Sequence, residues 1–341
     1  MAGSITRMES IHYLRALSYR FPTIEAALAE IAHLKSVLAL PRGTVHVVSD
    51  VHGEFQKLDH ILRNGSGSLR PLVERVFKDK LDAQAQTTLL NLIYYPRETW
   101  ARLCTRLVGE EAQEKYLRDI LLHQLELLRH LAGRYTVRHL DRIIPAPYKA
   151  VFAELLLSPW LGRDPSFVDA LVMPFVHHDG GVELLRSAAH AVRSLASYEL
   201  IVAGDLGDRG PRMDRVIEAL RAQRNVSFTW GNHDAEWMGA CLGQEALIAT
   251  VLRNSLRYGR VAQLEEGYGI PVEALEGLAR TAYGDDPAER FKPKGEDLRD
   301  PLLLARMQKA IAILQLKLEG QVTRRNPHFG MEARNLLHRI D

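Results

Sequence analysis

Apolar positions along the chain follow a helical spacing in some segments and form strand-like runs in others. A helix is predicted between an N-cap at Thr23 and a stop at Pro41, because the apolar residues between them recur every three or four positions. Short β-branched runs predict three buried strands, at residues 44–49, 200–203 and 226–230. Each run ends at a polar residue or a glycine, and these are Asp50, Gly204 and Gly231.

Helices are predicted to alternate with the second and third strands. The apolar spacing of residues 213–220 predicts one helix, and helical composition continues after Asp234 to about residue 256. Strands that alternate with helices are typical of an α/β sheet with helices packed against it.

The rest of the chain is predicted to be mainly helical. Residues 70–196 are leucine-rich and contain few strand signals, which predicts a large helical insertion. Residues 261–341 are also mostly helical, apart from a loop rich in glycine, proline and charge at residues 283–300. We therefore expect an N-terminal helix and the first part of the sheet core in residues 1–69, the insertion in 70–196, the second part of the core in 197–260, and a helical extension in 261–341.

Composition excludes several classes of protein. The 341 residues are 46% hydrophobic and 25% charged, as is usual for folded globular chains. The 44 basic and 42 acidic residues leave a net charge of +2, too small to favour nucleic acid or a membrane surface as a partner. Cys104 and Cys241 lie in no disulfide or zinc spacing. Without an export signal or an apolar run of about 18 residues, a cytoplasmic location is expected.

The first predicted strand is followed by two potential metal ligands. Asp50 and His52 lie two residues apart, so on an extended chain their side chains point the same way and can meet one ion. The alternative is a surface aspartate beside a partly buried histidine.

The second predicted strand leads into residues 204–210, which combine two carboxylates and a guanidinium with three glycines. Because glycine lets the backbone approach a ligand closely, Asp205, Asp208 and Arg209 are candidates for a metal or phosphate site. A turn with an internal salt bridge is the alternative.

Asn232 and His233 follow the third predicted strand. The amide of Asn232 offers a neutral oxygen to a hard cation, and the imidazole of His233 offers a proton donor or a phosphate contact. Alone, this motif is also compatible with a Gly-Asn turn followed by a helix cap at Asp234.

The three motifs are informative together, because open α/β sheets place ligand sites at the carboxyl ends of their strands. In order they are D-x-H, GD-x-x-DR and GNH-D, and this series resembles the calcineurin-like metallophosphoesterases. Within that superfamily, further segments are similar to class III fructose-1,6-bisphosphatase. They are YRFPTIE at residues 19–25, HILRN at 60–64, LIYYP at 92–96 and WGNHDAEWMG at 230–239.

This resemblance implies a fold, an activity and a set of metal ligands. The implied fold is an α/β metallophosphoesterase-type sheet core with helices against it and a large helical insertion. The implied activity is hydrolysis of fructose 1,6-bisphosphate to fructose 6-phosphate in gluconeogenesis, by a hydroxide held between two divalent ions. Manganese suits an oxygen-rich mixed ligand set. By resemblance, Asp50, His52 and Asp205 hold the first ion, and Asp205 and Asn232 hold the second.

The resemblance also implies which residues contact the substrate. Arg209, Asn232 and His233 would contact the phosphate, Arg209 by bidentate binding of two oxygens. His233 would protonate or stabilise the leaving alkoxide, and Asp208 would orient His233.

The resemblance covers the N-terminal part of the family and leaves the second ion short of ligands. Family members are longer and complete the second site with later histidines, whereas only His328 and His338 follow His233 here, in a different context. The chain is therefore expected to be C-terminally incomplete. It is also expected to bind one ion much more tightly than a second, and to hydrolyse sugar bisphosphates slowly or not at all.

Two other functions stay open at this point, a serine/threonine protein phosphatase and a catalytically incomplete scaffold.

A separate cluster, His177, His178 and Asp179, also offers metal-binding side chains. Adjacent side chains diverge on a strand, which favours a structural role for that cluster.

Overall fold

The computed structural model describes residues 7–41, 43–159, 161–178, 180–223, 225–294, 298 and 300–337. In chain order, the elements are α1 (Arg7–Arg20), α2 (Ile24–Ala39), β1 (Val45–Val48), α3 (Phe55–Arg63), α4 (Leu69–Phe77), α5 (Ala83–Tyr94), α6 (Pro96–Cys104), α7 (Glu110–Ala132), α8 (Val137–Ile143), α9 (Lys149–Leu157), α10 (Pro165–Val176), α11 (Gly181–Ala196), β2 (Glu199–Ala203), α12 (Met213–Arg221), β3 (Val226–Thr229), α13 (Asn232–Cys241), α14 (Glu245–Arg257), α15 (Glu273–Tyr283) and α16 (Pro301–Arg325). Short 3-10 and π turns occupy Ala146–Tyr148, Gln263–Gly267, Glu289–Phe291, Pro327–Phe329 and Glu332–Arg334.

The described residues fold into two compact units. One comprises residues from 1–43 and 68–196, and the other comprises residues from 44–67 and 197–341. The first unit contains α1, α2 and α4–α11, and the second contains the three strands with α3 and α12–α16. The domain boundaries proposed from the sequence stay a prediction.

The first unit is held together by a leucine-rich core. Helix α7 packs against α11, and Leu89, Leu127 and Val192 are completely buried in the core. Burial of one such side chain stabilises a fold by roughly 1.5–3 kcal/mol. The prediction of leucine-rich helices in residues 70–196 is confirmed. Helix α2 also begins and ends as predicted, with the hydroxyl of Thr23 accepting the N–H of Ala26 at 3.1 Å.

The second unit is built around a parallel sheet in the order β1-β2-β3. All three strands lie within one residue of their predicted ends. The prediction that the strands are buried is wrong for β1 and β3. Helices α3 and α12 cover only the sheet face that carries Leu200 and Val202, so Val45 and Val47 on the opposite face are exposed.

The remaining helices of the second unit pack on one another. Helix α16 contacts α14 and α15, and these helices bury Leu256, Ala279 and Met307. The loop predicted at residues 283–300 separates α15 from α16 and contains only the short Glu289–Phe291 turn among its described residues. In the described part of the chain, every helix is too short or too polar to cross a membrane.

Candidate active site

The three sequence motifs lie at the carboxyl edge of the sheet. Asp50 follows β1, Asp205 follows β2 and Asn232 follows β3, each within three residues of the end of its strand. Because the strands are parallel and adjacent, their carboxyl ends meet at the same edge. The fold therefore brings together motifs that are as much as 182 positions apart, from residue 50 to residue 232.

The two aspartates and the histidine that could bind a metal ion have an unusual backbone conformation. Asp50, His52 and Asp205 have φ angles of 54°, 47° and 55°, in the left-handed region that non-glycine residues rarely occupy. Each such residue costs of order 1–3 kcal/mol, and residues of this kind cluster at functional sites because surrounding contacts hold them there.

Backbone hydrogen bonds between the loops after β1 and β2 hold this conformation. The N–H of His52 donates to the carbonyl of Asp205 at 2.9 Å, and the N–H of Gly53 donates to the carbonyl of Leu206 at 2.7 Å. The N–H of Gly210 returns to the carbonyl of His52 at 2.6 Å. The two loops are thus joined by backbone hydrogen bonds, which restrict where their side chains can point.

Two glycines allow the loops to approach each other this closely. A methyl group on Gly210 would overlap the carbonyl oxygen of His52, and one on Gly231 would overlap a carboxylate oxygen of Asp205. A larger residue would therefore collide with the backbone at Gly210 and with the Asp205 side chain at Gly231, so both positions require glycine.

Asp50, His52 and Asp205 form a group suited to a metal ion. One ligand atom from each lies within 4.8 Å of the other two, and His52 Nε2 is 3.5 Å from Asp50 Oδ1. Two carboxylates and an imidazole match the donors that divalent transition ions accept, and a cation would offset the repulsion between the carboxylates. The Asp50 side chain is 67% exposed, so one side of the group is open to solvent or substrate.

Asp208 lies beneath this group and contacts two histidines. Its side chain is 4% exposed, with Oδ1 2.9 Å from His52 Nδ1 and Oδ2 3.0 Å from His233 Nε2. The first of these contacts is close but poorly aligned for a hydrogen bond. The sequence predicted only a partner for His233, whereas the structure places the same carboxylate against the ligand candidate His52.

Arg209 projects its charge away from the protein interior. Its side chain is 58% exposed, and its Nε donates to Asp208 Oδ2 at 3.3 Å. That hydrogen bond to Asp208 raises the pKa of Arg209 above its ordinary value, which further stabilises the charged form of the guanidinium. The carbonyl of Arg209 accepts a hydrogen bond from Arg260 Nε at 2.7 Å, which anchors the backbone below the guanidinium.

His233 lies between two carboxylates at the start of α13. Its Nε2 faces Asp208, and its Nδ1 is 3.5 Å from Glu236 Oε2, one helical turn further on. Its backbone N–H donates to Asp205 Oδ1 at 3.3 Å. Glu236 was not among the sequence candidates, although its spacing of three residues from His233 on a predicted helix was the available signal.

Asn232 is the exposed first residue of α13. It precedes His233, whose backbone N–H donates to Asp205, so the backbone of Asn232 lies close to Asp205. Helix α13 begins at Asn232, and Asp234 in its first turn caps the helix by accepting the N–H of Gly231 at 2.8 Å, as the alternative reading of this motif suggested.

Other histidines do not join the group. His177 Nδ1 is 3.0 Å from Glu114 Oε2 in the first unit, and His178 is exposed. His328 stacks edge-on against Phe329 in a short turn near the C-terminus. Asp179 and His338 lie outside the described residues. Within the described residues, Asp50, His52 and Asp205 form the one such group of three or more acidic, histidine or cysteine ligands.

Comparisons with known proteins point to one family. The chain is 34% identical over 339 residues to the class 3 fructose-1,6-bisphosphatase of Clostridium acetobutylicum, which covers 98% of this chain and 50% of the relative. It is 36% identical over 342 residues to the class 3 fructose-1,6-bisphosphatase of Parabacteroides distasonis, which covers 97% of this chain and 50% of the relative. The chain thus spans about half the length of the curated relatives it matches. No solved structure matches it.

The family model described as Firmicute fructose-1,6-bisphosphatase matches residues 12–341. This match includes β1, β2 and β3 and all three motifs at their carboxyl ends. Because the match covers nearly the whole chain, the chain belongs to the Firmicute fructose-1,6-bisphosphatase family.

Proposed function

We propose that the chain is a metal-dependent phosphomonoester hydrolase whose substrate is fructose 1,6-bisphosphate and whose site is of the calcineurin-like metallophosphoesterase type. The observation that carries the proposal is the group of Asp50, His52 and Asp205 at the carboxyl edge of the sheet. Membership of the family and the class 3 fructose-1,6-bisphosphatase names of the relatives support the choice of substrate.

Two divalent ions are proposed to bind at this edge. Asp50, His52 and Asp205 would hold the first, and Asp205 and Asn232 would contribute to the second. A mixed oxygen and nitrogen ligand set without thiolate favours manganese. When bound, the ions supply Lewis acidity toward the phosphoryl oxygens and an activated water.

Arg209 is proposed to bind the phosphate that is cleaved. Its guanidinium is exposed at the site, and its Nε hydrogen bond to Asp208 restricts the orientation of the planar group. A guanidinium binds two phosphoryl oxygens at once, which a lysine cannot do with the same geometry. Asn232, which is exposed nearby, would add a neutral contact to the phosphate.

His233 is proposed to hold the proton that the leaving alkoxide needs. Carboxylates of Asp208 and Glu236 lie 3.0 and 3.5 Å from its two ring nitrogens, so both nitrogens face acceptor oxygens. Proton donation by a positioned side chain typically accelerates a reaction by about 10²–10⁴-fold. Asp208 thus keeps both His52 and His233 in place.

The ligand count limits this activity. Among the described residues, the first ion would have three ligands, two carboxylates and an imidazole. The second would have one shared carboxylate and one neutral amide. A site with so few protein ligands binds weakly, so turnover is expected to be slow and to rise with the Mn²⁺ concentration.

Phosphate release tests the proposal. Fructose 1,6-bisphosphate and a phosphoserine peptide are compared as substrates at high Mn²⁺ concentration. Two substitutions accompany the unsubstituted chain, His52→Ala in the ligand group and His177→Ala as a matched control in the first unit. We expect Mn²⁺-dependent release from the sugar bisphosphate that His52→Ala abolishes and His177→Ala preserves.

Two results would contradict the proposal. Faster release from the phosphopeptide would indicate a protein phosphatase. Release that never exceeds the His52→Ala background, in a chain that also retains no Mn²⁺, would indicate a scaffold without catalytic function.

A further inference from the structure

Asp234 is a buried carboxylate that links two of the site loops. It lies in the first turn of α13 and is 7% exposed. Its carboxylate accepts the backbone N–H of Asp205 at 2.7 Å and that of Leu206 at 2.9 Å, both from the loop after β2. It also accepts the N–H of Gly231, from the loop after β3, at 2.8 Å. Hydrogen bonds to an ionised carboxylate are about twice as strong as neutral ones.

Only one of these three hydrogen bonds is ordinary helix capping. An acidic residue at the third helical position commonly reaches back to the N–H before the helix, as Asp234 does toward Gly231. The other two N–H groups lie 29 and 28 residues earlier in the chain, on a different loop. Helix α13 can begin without these two hydrogen bonds, so their effect is to stabilise the loop after β2.

The hydrogen bonds act on the residue whose conformation is strained. Asp205 has a φ of 55°, and the preceding Gly204 has a φ of 82°. Successive backbone N–H groups in such a turn point into one concavity that binds an anion, and here the carboxylate of Asp234 is that anion. The same turn directs the Asp205 side chain toward the ligand group with Asp50 and His52. The buried carboxylate therefore stabilises the backbone conformation that presents the ligand.

We propose that Asp234 is a positioning residue for the metal site, which holds Asp205 in its left-handed conformation without binding the ion itself. The proposal rests on the metal site of the proposed function. Its structural part, that Asp234 holds the loop after β2, is independent of any metal.

Asp234→Asn is the direct test, with Mn²⁺ as the probe. Asparagine keeps the size of the side chain, but an amino group replaces one of the two oxygens and faces an N–H donor. Loss of a hydrogen-bonded partner beyond the ligands typically weakens metal binding by about 10- to 100-fold. We expect that loss in a titration that follows free Mn²⁺ by electron paramagnetic resonance.

Asp164→Asn is the matched control. Asp164 also caps a helix by accepting two backbone N–H groups, those of Ser166 and Phe167, but it does so in the first unit. Its substitution should leave Mn²⁺ affinity unchanged. A second variant, Asp234→Glu, keeps the charge and both acceptor oxygens, so it should retain more Mn²⁺ affinity than Asp234→Asn. Equal affinity in Asp234→Asn and the unsubstituted chain, or equal losses in the two Asp234 variants, would overturn the proposal.

Amide hydrogen exchange separates the inference from the proposed function. In Asp234→Asn, the N–H groups of Asp205, Leu206 and Gly231 should exchange faster, while those elsewhere in the sheet keep their protection. If the unsubstituted chain binds no Mn²⁺, the proposed function fails, and exchange alone then decides the structural part. Faster exchange at Asp205 and Leu206 supports it, and unchanged exchange at these residues overturns it.

Discussion

Substitution of Asp208 by asparagine should damage metal binding and catalysis at the same time. The Asp208 carboxylate lies 2.9 Å from His52 on one oxygen and 3.0 Å from His233 on the other, and its side chain is only 4% exposed. Asp208→Asn preserves the shape of the side chain but removes the negative charge and one acceptor. Both histidines therefore lose a partner whose own side chain is almost completely buried.

The expected losses of metal affinity and of reaction rate are estimated from the two contacts separately. Loss of the carboxylate behind a metal-binding histidine typically lowers metal affinity about 10- to 100-fold. In free energy this is about 1.4–2.7 kcal/mol, since each tenfold change is about 1.36 kcal/mol. Loss of the partner of His233 should also lower the rate at saturating Mn²⁺, by up to the roughly 10²–10⁴-fold that a positioned proton donor contributes.

The assay combines Mn²⁺ titration with phosphate release from fructose 1,6-bisphosphate. His233→Asn is the comparison, because it removes the proton donor and leaves the Asp208 to His52 contact intact. It should reduce the rate and leave Mn²⁺ affinity close to that of the unsubstituted chain. Full Mn²⁺ affinity in Asp208→Asn would refute the reasoning, because it would show that the contact with His52 does not support metal binding.

Four further substitutions test the metal ligands, the phosphate contact, the site loop and the sheet core. Asp205→Ala should abolish Mn²⁺ binding. Arg209→Ala should keep the metal and lower phosphate release by about 100- to 1,000-fold. Equal loss of metal in the two variants would contradict these roles. Gly231→Ala should also lose Mn²⁺ affinity, because the added methyl group overlaps an Asp205 oxygen, and unchanged affinity in a titration would show that the loop adapts. Burial lowers the pKa of His46 below 6.5, so its contribution to stability is present above that pH and is lost as the pH falls through the folded-state value. Urea melts across this range should show less acid destabilisation in His46→Leu, and identical pH profiles would argue against this origin.

Much of the fold was predictable because it depends on local sequence. β-Branched runs located the three strands to within one residue at each end, and apolar spacing located α2 between Thr23 and Pro41. Exposure of Val45 and Val47 was not predictable in this way. It depends on which sheet face α3 and α12 cover, and strand composition does not contain that information.

The ligand group was predictable for a different reason. Asp50 and Asp205 each follow a strand, and parallel strands bring their carboxyl ends to one edge. The contacts around the group depend instead on left-handed turns and on side-chain directions within the loops. No periodicity encodes these features, so the contacts of Asp208 with His52, of Glu236 with His233 and of Asp234 with Asp205 emerged only from the structure.

Calorimetric titration of Mn²⁺ into the chain measures directly whether Asp50, His52 and Asp205 hold an ion. We expect one tight site per chain, a much weaker second site, and loss of the tight site in His52→Ala. The absence of a tight site, or a tight site that persists unchanged in His52→Ala, would show that these three residues do not bind the metal.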